Sequence, residues 1–136
     1  IVTELNIPAM SLHSGCSYCK LSPRKSLDLA LVGVAAMLRT NAQASKCLEA
    51  RIVLGAVAPT ATRAKQAEAI LMGANLSQSV IDEAAEAAAG ESRPIDDVRA
   101  SAWYRKKMVA VATRRAIAAA LNQIKGITNY ELRFTN

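Results

Sequence analysis

The sequence contains few aromatic residues, a single histidine and no long apolar segment. Its apolar runs, residues 29–38 and 52–62, are about ten residues long, whereas a helix that crosses a bilayer needs about 20, which excludes a membrane-spanning helix. With one Trp, three Tyr and one Phe in 136 residues, the core must consist of small and aliphatic side chains. The chain is 51% hydrophobic and 21% charged. This composition excludes an intrinsically disordered protein and fits one globular domain that spans residues 1–136.

The glycines form no phosphate-binding loop, because all six are isolated and none belongs to a GxGxxG or GxxxxGK pattern. His13 has no serine or cysteine context that would suggest a catalytic triad, and we expect it to be solvated in a turn. Asp96 and Asp97 are adjacent carboxylates just ahead of a predicted helix. There they favour the positive N-terminal end of that helix, so we expect a structural role. The sequence alone therefore predicts no catalytic residue.

The cysteines bear on metal binding and on the cellular compartment. Cys16 and Cys19 have CxxC spacing, but a structural zinc site needs four ligands, and only Cys47 and His13 could complete it. We expect three reduced cysteines, no metal site and a cytoplasmic protein. Ile1 is not an initiator methionine, and no basic stretch precedes an apolar one. We therefore expect no signal peptide, and we expect the chain to be part of a longer protein.

The first half of the chain has the pattern of β-strands. Residues 2–7 alternate in polarity before a proline and predict a short edge strand, and residues 17–20 are a weaker strand candidate. Residues 29–40 and 51–59 are apolar runs with an internal glycine, which favours buried strands over helices. The polar residues 40–46 between these two runs predict a hairpin.

The second half of the chain has helical periodicity. The pattern predicts helices over residues 60–73, 77–90 and 101–125. The first two end at a glycine, and the second and third begin at a serine that can cap the helix. Strands followed by helices predict an α+β fold, in which a small antiparallel sheet of three to four strands packs against about three helices.

The positive charge of the chain is concentrated at its C-terminal end. Residues 1–98 carry nine basic and ten acidic side chains, whereas residues 99–136 carry eight basic and one acidic. On a helical wheel, Trp103 lies in the apolar arc of the third predicted helix, and Lys107 and Arg114 lie outside that arc, on its polar side. We interpret the basic surplus chiefly as the solvated face of this helix. Because stacking aromatics are scarce there, we expect no nucleic-acid partner. We also expect no membrane partner, since no apolar run is long enough to span a bilayer.

Two long segments resemble a known family. Residues 51–64 (RIVLGAVAPTATRA) and 94–105 (PIDDVRASAWYR) are similar to the C-terminal domain of flavoprotein subunits in the molybdenum hydroxylase family. This family includes bacterial carbon monoxide dehydrogenase and xanthine dehydrogenase. Residues 2–8 (VTELNIP), and the segment from Tyr18 to residue 30, match in the same order. The resemblance covers essentially the whole chain and implies a carbon monoxide dehydrogenase flavoprotein C-terminal-like domain.

The resemblance implies a domain of an oxidoreductase that helps to enclose FAD and to assemble the complex. In such a complex, the resemblance implies that electrons pass from molybdenum through iron–sulfur clusters to FAD and an external acceptor. FAD would be held mainly by N-terminal and middle domains, and the molybdenum cofactor and the iron–sulfur clusters would lie in partner subunits. The family pattern places Lys20 near the flavin, where a positive charge stabilises an anionic reduced ring. Asp28 lies in a loop that the resemblance also implies to be close to the flavin.

Alternatives remain at this point for both the site residues and the function. Lys20 could be an exposed strand end, and Asp28 could pair locally with the neighbouring cations Arg24 and Lys25. The chain could instead be a stand-alone binding or regulatory module that uses the basic helix 101–125. The fragment by itself is not expected to be catalytic.

Overall fold

In the part of the chain that the structure describes, a four-stranded antiparallel sheet forms one layer and three helices form the other. The computed structural model describes residues 1–7, 9–24 and 28–134, with side chains up to residue 126 in the last helix. In chain order the elements are β1 (Ser14–Leu21), β2 (Val32–Thr40), β3 (Cys47–Gly55), β4 (Thr62–Arg63), α1 (Lys65–Leu71), α2 (Gln78–Glu91) and α3 (Ala102–Phe134). The strands lie in the order β1-β2-β3-β4, each antiparallel to its neighbour. The predicted α+β class is confirmed.

Alternate side chains of the two central strands enter the core. The buried positions are Val32, Val34, Ala36 and Leu38 on β2 and Ala50, Ile52 and Leu54 on β3. This period of two is what a strand imposes when one face is covered, and each fully buried Val, Leu or Ile contributes about 1.5 to 3 kcal/mol. The predicted hairpin joins these strands, and in its turn the Asn41 side-chain oxygen accepts the backbone N–H groups of Ser45 and Lys46 at 2.9 and 3.0 Å.

Helix α3 lies against β1 and β2, and small residues permit this close contact. Gly15 on β1 is buried, and a Cβ there would lie 3.0 Å from the carbonyl carbon of Ala120 and closer still to its oxygen. On the α3 side, Ala116 and Ala120 are fully buried. Because neither partner carries a bulky side chain at this point, the helix backbone can touch the strand backbone. In the described helices, no stretch has the length and apolar character required to cross a bilayer.

Helix α1 is joined to the sheet by a buried carboxylate. Glu68 accepts the backbone N–H of Ile52 at 2.8 Å, and it forms a two-pronged ion pair with Arg63 at 2.5 and 2.7 Å. The side chain of Glu68 is almost fully buried. A buried carboxylate requires such partners, since an unpaired charge in the interior is strongly unfavourable. The three groups together fix the short strand β4 and α1 to β3.

A buried arginine joins three connecting loops beneath the first turns of α3. Arg105 is only 4% exposed. Its Nη1 donates to the carbonyl oxygen of Leu31 at 3.0 Å and to that of Ala56 at 3.5 Å, and its Nη2 lies 2.6 Å from Asp97 Oδ2. The loops before β2, after β3 and before α3 are therefore held by one guanidinium. We call this arrangement the Arg105 clamp.

The paired aspartates have the structural role that the sequence predicts. Asp96 Oδ1 accepts the N–H of Ala102, the first residue of α3, at 2.6 Å. Asp97 Oδ1 accepts the N–H groups of Arg99 and Ala100 at 2.8 and 3.1 Å. The backbone N–H of Arg99, and next the guanidinium of Arg105, hold the pKa of Asp97 well below its usual range, at about 2.

The strand predictions need corrections. Residues 2–7 were predicted as an edge strand, but they pair with no strand among the described residues, and Val2, Leu5 and Ile7 are all exposed. Alternation specifies a strand only if a partner takes one of its faces, and here neither set of side chains is covered. The weaker candidate at 17–20 is part of the longer strand β1, which spans residues 14–21. The predicted strand 51–59 begins and ends earlier in the chain, as β3 at residues 47–55.

The helix boundaries also differ from prediction at particular residues. The predicted helix 60–73 begins at Lys65, because Thr62 and Arg63 join the sheet as β4. Its predicted end is correct, since Gly73 follows the cap with a φ of +75°. Helix α2 includes Gly90, and α3 continues through Gly126. One interior glycine costs only about 1 kcal/mol relative to alanine, which a long helix tolerates.

The serine caps were predicted correctly, whereas the solvated histidine was not. The Ser77 hydroxyl accepts the N–H of Val80 at 3.4 Å, and the Ser101 hydroxyl accepts that of Tyr104 at 3.2 Å. His13 is half-buried in a left-handed backbone conformation, with a φ of +56°. Its Nδ1 is buried without a hydrogen-bond partner among the described groups. The His13 side chain is thus partly buried and does not project fully into solvent.

The contact between α3 and β1 predicts opposite effects of alanine at two glycines. Gly15→Ala should lower the free energy of unfolding by about 3 kcal/mol, because the new methyl group meets backbone atoms that cannot rotate away. Gly90→Ala in α2 should raise it by about 0.5 to 1 kcal/mol, since a Cβ there meets nothing within 4 Å. Urea denaturation of both variants measures the two changes. Equal effects at the two positions would contradict the close contact.

The low pKa of Asp97 predicts a specific pH dependence of stability. A carboxylate with a folded pKa of about 2 and an ordinary value of 3.8 stabilises the fold fully above about pH 4. That contribution is lost as the pH falls towards 2. The Asp97→Asn variant should therefore be less stable than the parent at pH 7, and the gap between the two should shrink from about pH 4 to pH 2. Urea denaturation across this range measures the gap, and a gap that stays constant would contradict the assigned role.

Candidate functional site

The sheet has one face turned away from the helices, which we call the open face. Its exposed or half-buried side chains include Cys16, Tyr18 and Lys20 on β1, Ala35 and Met37 on β2, and Val53 on β3, and Gly33 and Gly55 contribute bare backbone. At the other end of the face from Lys20, Glu49 pairs with Arg39 and Arg51. No described element covers these positions. Around Tyr18, the face thus offers a flat, mainly apolar platform with one cation beside it.

Tyr18 is the largest side chain on the open face and is 64% exposed. Its ring extends across Gly33 and buries it, since a Cβ at Gly33 would lie 2.6 Å from the Tyr18 hydroxyl oxygen and 3.3 Å from ring carbons. Ala35 pairs directly with Tyr18, and Lys20 pairs with Gly33 in the β1–β2 register. The absence of a side chain at Gly33 therefore lets the aromatic ring lie close to the strands. An exposed aromatic ring held in this way is suited to contact a planar or apolar partner.

The structure brings the two predicted site residues, Lys20 and Asp28, together. Lys20 is exposed, and its Nζ donates to the backbone carbonyl oxygen of Asp28 at 2.7 Å. The contact involves the main chain of Asp28 and not its carboxylate. An ammonium group has three N–H donors, so two donors of Lys20 remain available to another group.

The Asp28 carboxylate is occupied within its own loop. It accepts the N–H of Leu29 at 2.9 Å and the N–H of Arg24 at 3.1 Å, and the Arg24 Nε lies 3.4 Å away. Burial raises the pKa of Asp28, but the hydrogen bonds and the charge of Arg24 outweigh that effect, so the pKa lies below its ordinary value. The local pairing considered from sequence thus exists with Arg24; Lys25 lies outside the described residues. A contact of either Lys20 or Asp28 with a flavin stays a prediction.

The strand separates the two thiols of the CxxC segment. Cys16 lies on the open face, whereas Cys19 points to the helical side and packs against the core. Three residues of extended strand span about 10 Å between Cα atoms, beyond the roughly 7 Å that a disulfide permits. All three cysteines are free, and no cluster of potential metal ligands occurs among the described residues.

The third helix uses part of its basic charge internally. Arg114 on α3 lies 2.5 Å from Asp82 and 2.8 Å from Glu86, both on α2. These ion pairs hold α2 and α3 together, and Arg105 is buried in the clamp. Arg114, which the helical wheel placed on the solvated face, is therefore half-buried in ion pairs, whereas Lys107 on the same face is exposed as predicted. Trp103, which the helical wheel placed in the apolar arc, is 70% exposed, and Lys107 Nζ lies 6.0 Å from its ring.

The sequence predictions include Lys20, but they include neither the exposed Tyr18 platform nor the Arg105 clamp. A period-two reading of residues 14–21 was the available signal for Tyr18, since it places Tyr18 and Lys20 on one face. No periodic signal marks Arg105, because a charged residue on a helix is expected to face solvent. Its burial depends on three carbonyl and carboxylate partners that come together only in the folded chain.

Comparisons with known proteins identify relatives of this arrangement. A family model described as CO dehydrogenase flavoprotein C-terminal domain matches residues 17–120. The alpha subunit of the 6-hydroxypseudooxynicotine dehydrogenase complex of Paenarthrobacter nicotinovorans is 33% identical over 125 residues, which cover 92% of this chain and 42% of that protein. The carbon monoxide dehydrogenase medium chain of Hydrogenophaga pseudoflava is 32% identical over 120 residues, covering 88% and 41%.

Solved structures show the same fold. Carbon monoxide dehydrogenase from Hydrogenophaga pseudoflava superposes with a TM-score of 0.79 and 35% identity, over 84% of this chain and 39% of that chain. Quinoline 2-oxidoreductase from Pseudomonas putida 86 superposes with a TM-score of 0.77 and 34% identity, over 87% and 40%. The chain thus spans about two fifths of the length of the proteins that it matches.

Proposed function

The chain belongs to the family of CO dehydrogenase flavoprotein C-terminal domains, and from this premise we propose that it serves in the flavin-carrying subunit of a molybdenum-containing oxidoreductase. The match across residues 17–120 is the observation that carries the proposal. One relative, 26% identical over 129 residues, is named the FAD-subunit of nicotinate dehydrogenase from Eubacterium barkeri. A further related structure, 35% identical, is that of a Cu,Mo-CO dehydrogenase.

FAD would be held mainly outside this chain. No glycine-rich loop is available to cradle a diphosphate, because the six glycines are isolated in the sequence. The open face fits the flavin ring instead, since Tyr18 and Gly33 provide a flat apolar surface with the Lys20 ammonium near it. When bound, FAD supplies a ring that accepts and releases electrons. In this proposal, the domain covers one side of that ring and excludes water from it.

Lys20 is the residue that we propose to act on the flavin electronically. Its ammonium is exposed on the open face and is positioned by the Asp28 carbonyl oxygen. The Arg24 pair already neutralises the Asp28 carboxylate, so that carboxylate does not cancel the charge of Lys20. A cation beside a ring that becomes negative on reduction favours the reduced state. Asp28 is thus a positioning residue, which orients Lys20 through its main chain.

The other domains and subunits of the complex follow from the same proposal. N-terminal and middle domains would bind most of FAD, and partner subunits would hold the molybdenum cofactor and the iron–sulfur clusters. The cytoplasm is the compartment we propose, and the three unpaired cysteines fit its reducing conditions. The alternative of a binding module based on the basic helix 101–125 has less support, because Arg105 and Arg114 already have internal partners.

Replacement of Lys20 tests this proposal. In the complete flavoprotein complex, Lys20→Met should lower the flavin midpoint potential by about 20 mV. The reason is that one charge at about 4 to 6 Å contributes about 3 to 4 kcal/mol before screening, which solvent exposure reduces to about 1 kcal/mol. Spectroscopic redox titration measures the flavin potential, and the potential of the molybdenum centre should not change.

Lys46→Met provides the matched control for charge. Lys46 is also exposed, but it lies in the β2–β3 turn at the opposite end of the sheet, and its loss should leave the flavin potential unchanged. Equal potentials in the parent and in Lys20→Met would show that Lys20 is only a surface lysine. A complete complex that contains no flavin at all would refute the proposed function itself.

A further inference from the structure

A groove of about 830 Å³ lies at the edge of the domain where β2 begins and β3 ends. The loop before β2, the loop after β3 and the connection between α2 and α3 line its walls. The Arg105 clamp holds the three loops together, and the backbone N–H of Arg93 donates to the Val57 carbonyl oxygen at 2.8 Å. The groove is therefore built by cross-linked loops, and a ligand would not have to order them first.

Large apolar side chains stand at the groove without cover. Leu29 is 65% exposed and Ile95 is 73% exposed, and Val98 on the adjoining turn is also fully exposed. Pro59 and Pro94 contribute further apolar lining. Clusters of exposed large apolar side chains mark contact surfaces on proteins. They extend from the groove to the surface beside it, so an occupant confined to the groove would leave part of them in water.

The charged groups at the groove favour a negatively charged occupant. Three arginines (Arg93, Arg99 and Arg105) and one carboxylate (Asp97) line it. Asp97 already accepts hydrogen bonds from two backbone N–H groups and pairs with Arg105. The exposed guanidinium of Arg93 has no side-chain partner among the described residues. An additional carboxylate would thus find an unpaired cation here.

We propose that this groove binds a polypeptide segment of a second subunit, in which a carboxylate lies between large apolar side chains. The carboxylate would pair with Arg93, and the apolar side chains would cover Leu29 and Ile95. A protein segment fits better than a small molecule, because the exposed apolar side chains extend beyond the groove. The identity of the partner as a subunit of the oxidoreductase rests on the proposed function. The groove itself, its positive charge and its exposed apolar side chains do not depend on the proposed function.

A photo-crosslinking experiment on the purified complex tests the proposal. Ile95 is replaced by the photoreactive amino acid p-benzoylphenylalanine, and the covalent product is located by mass spectrometry. The expected product joins this chain to a second subunit, at a segment that contains Asp or Glu beside apolar residues. The same replacement at Met72 is the position control. Met72 is also exposed, but its neighbour Gly73 bonds to Cys47 at the opposite end of β3.

Charge variants of Arg93 give the second readout. Arg93→Glu should reduce the crosslink from position 95 about tenfold, whereas Arg93→Lys should retain it, because the cation is kept. Both variants should unfold at the temperature of the parent, since the Arg93 side chain is exposed. The flavin content of each complex is measured in parallel, and it should be the same in all of them.

Four outcomes would overturn the proposal. They are a crosslink from position 95 no stronger than that from position 72, a crosslink insensitive to Arg93→Glu, a product within the same polypeptide, and a small molecule that co-purifies and blocks the crosslink. A charge-dependent crosslink in a complex without flavin would support the groove and refute the proposed function. A flavin-containing complex without the crosslink would refute the groove proposal and support the proposed function.

Discussion

Helix α3 lies directly on the backbone of β1, because Gly15 has no side chain to hold the two apart. This contact determines the two-layer arrangement. With α3 packed against β1 and β2, and α1 and α2 beside it, the helices cover one face of the sheet. Alternate residues on every strand must then point to the opposite face, where no described element covers them. The open face is thus a consequence of where α3 lies, and the proposed flavin contact depends on that face.

The sequence predicted those features that depend on local or periodic interactions. Apolar runs with an internal glycine predicted strands near β2 and β3. Serine hydroxyls predicted the starts of α2 and α3, because a cap satisfies N–H groups within its own first turn. Lys20 came from a resemblance and not from spacing, since nothing in its neighbours distinguishes it from a surface lysine. In the structure, the hydrogen bond from Lys20 to the Asp28 carbonyl oxygen, across the β1–β2 loop, fixes the position of the ammonium group. No sequence pattern predicted this contact.

Features that depend on distant partners escaped prediction. Arg105 is buried because two carbonyl oxygens and Asp97 surround it, and Leu31 and Ala56 are far from it in sequence. Residues 2–7 show the converse error, since a strand pattern without a partner strand leaves both sets of side chains exposed. In both cases the deciding interaction was non-local: a helical wheel or an alternation pattern states which residues share a face, but not what meets that face.

The domain has a well-packed core, but two regions of its surface expose large apolar side chains. Its buried charges have partners, as Glu68 has in Arg63 and Arg105 has in Asp97. In contrast, its open face exposes Tyr18, and the groove beside Arg93 exposes Leu29 and Ile95. Among the described residues, neither surface places a general base beside a nucleophile, the pair that nucleophilic catalysis uses. The groove adjoins the Lys20 end of the open face, because Leu29 in its lining follows Asp28, whose carbonyl oxygen accepts a hydrogen bond from Lys20. In the function proposed above, such a domain holds one component against another.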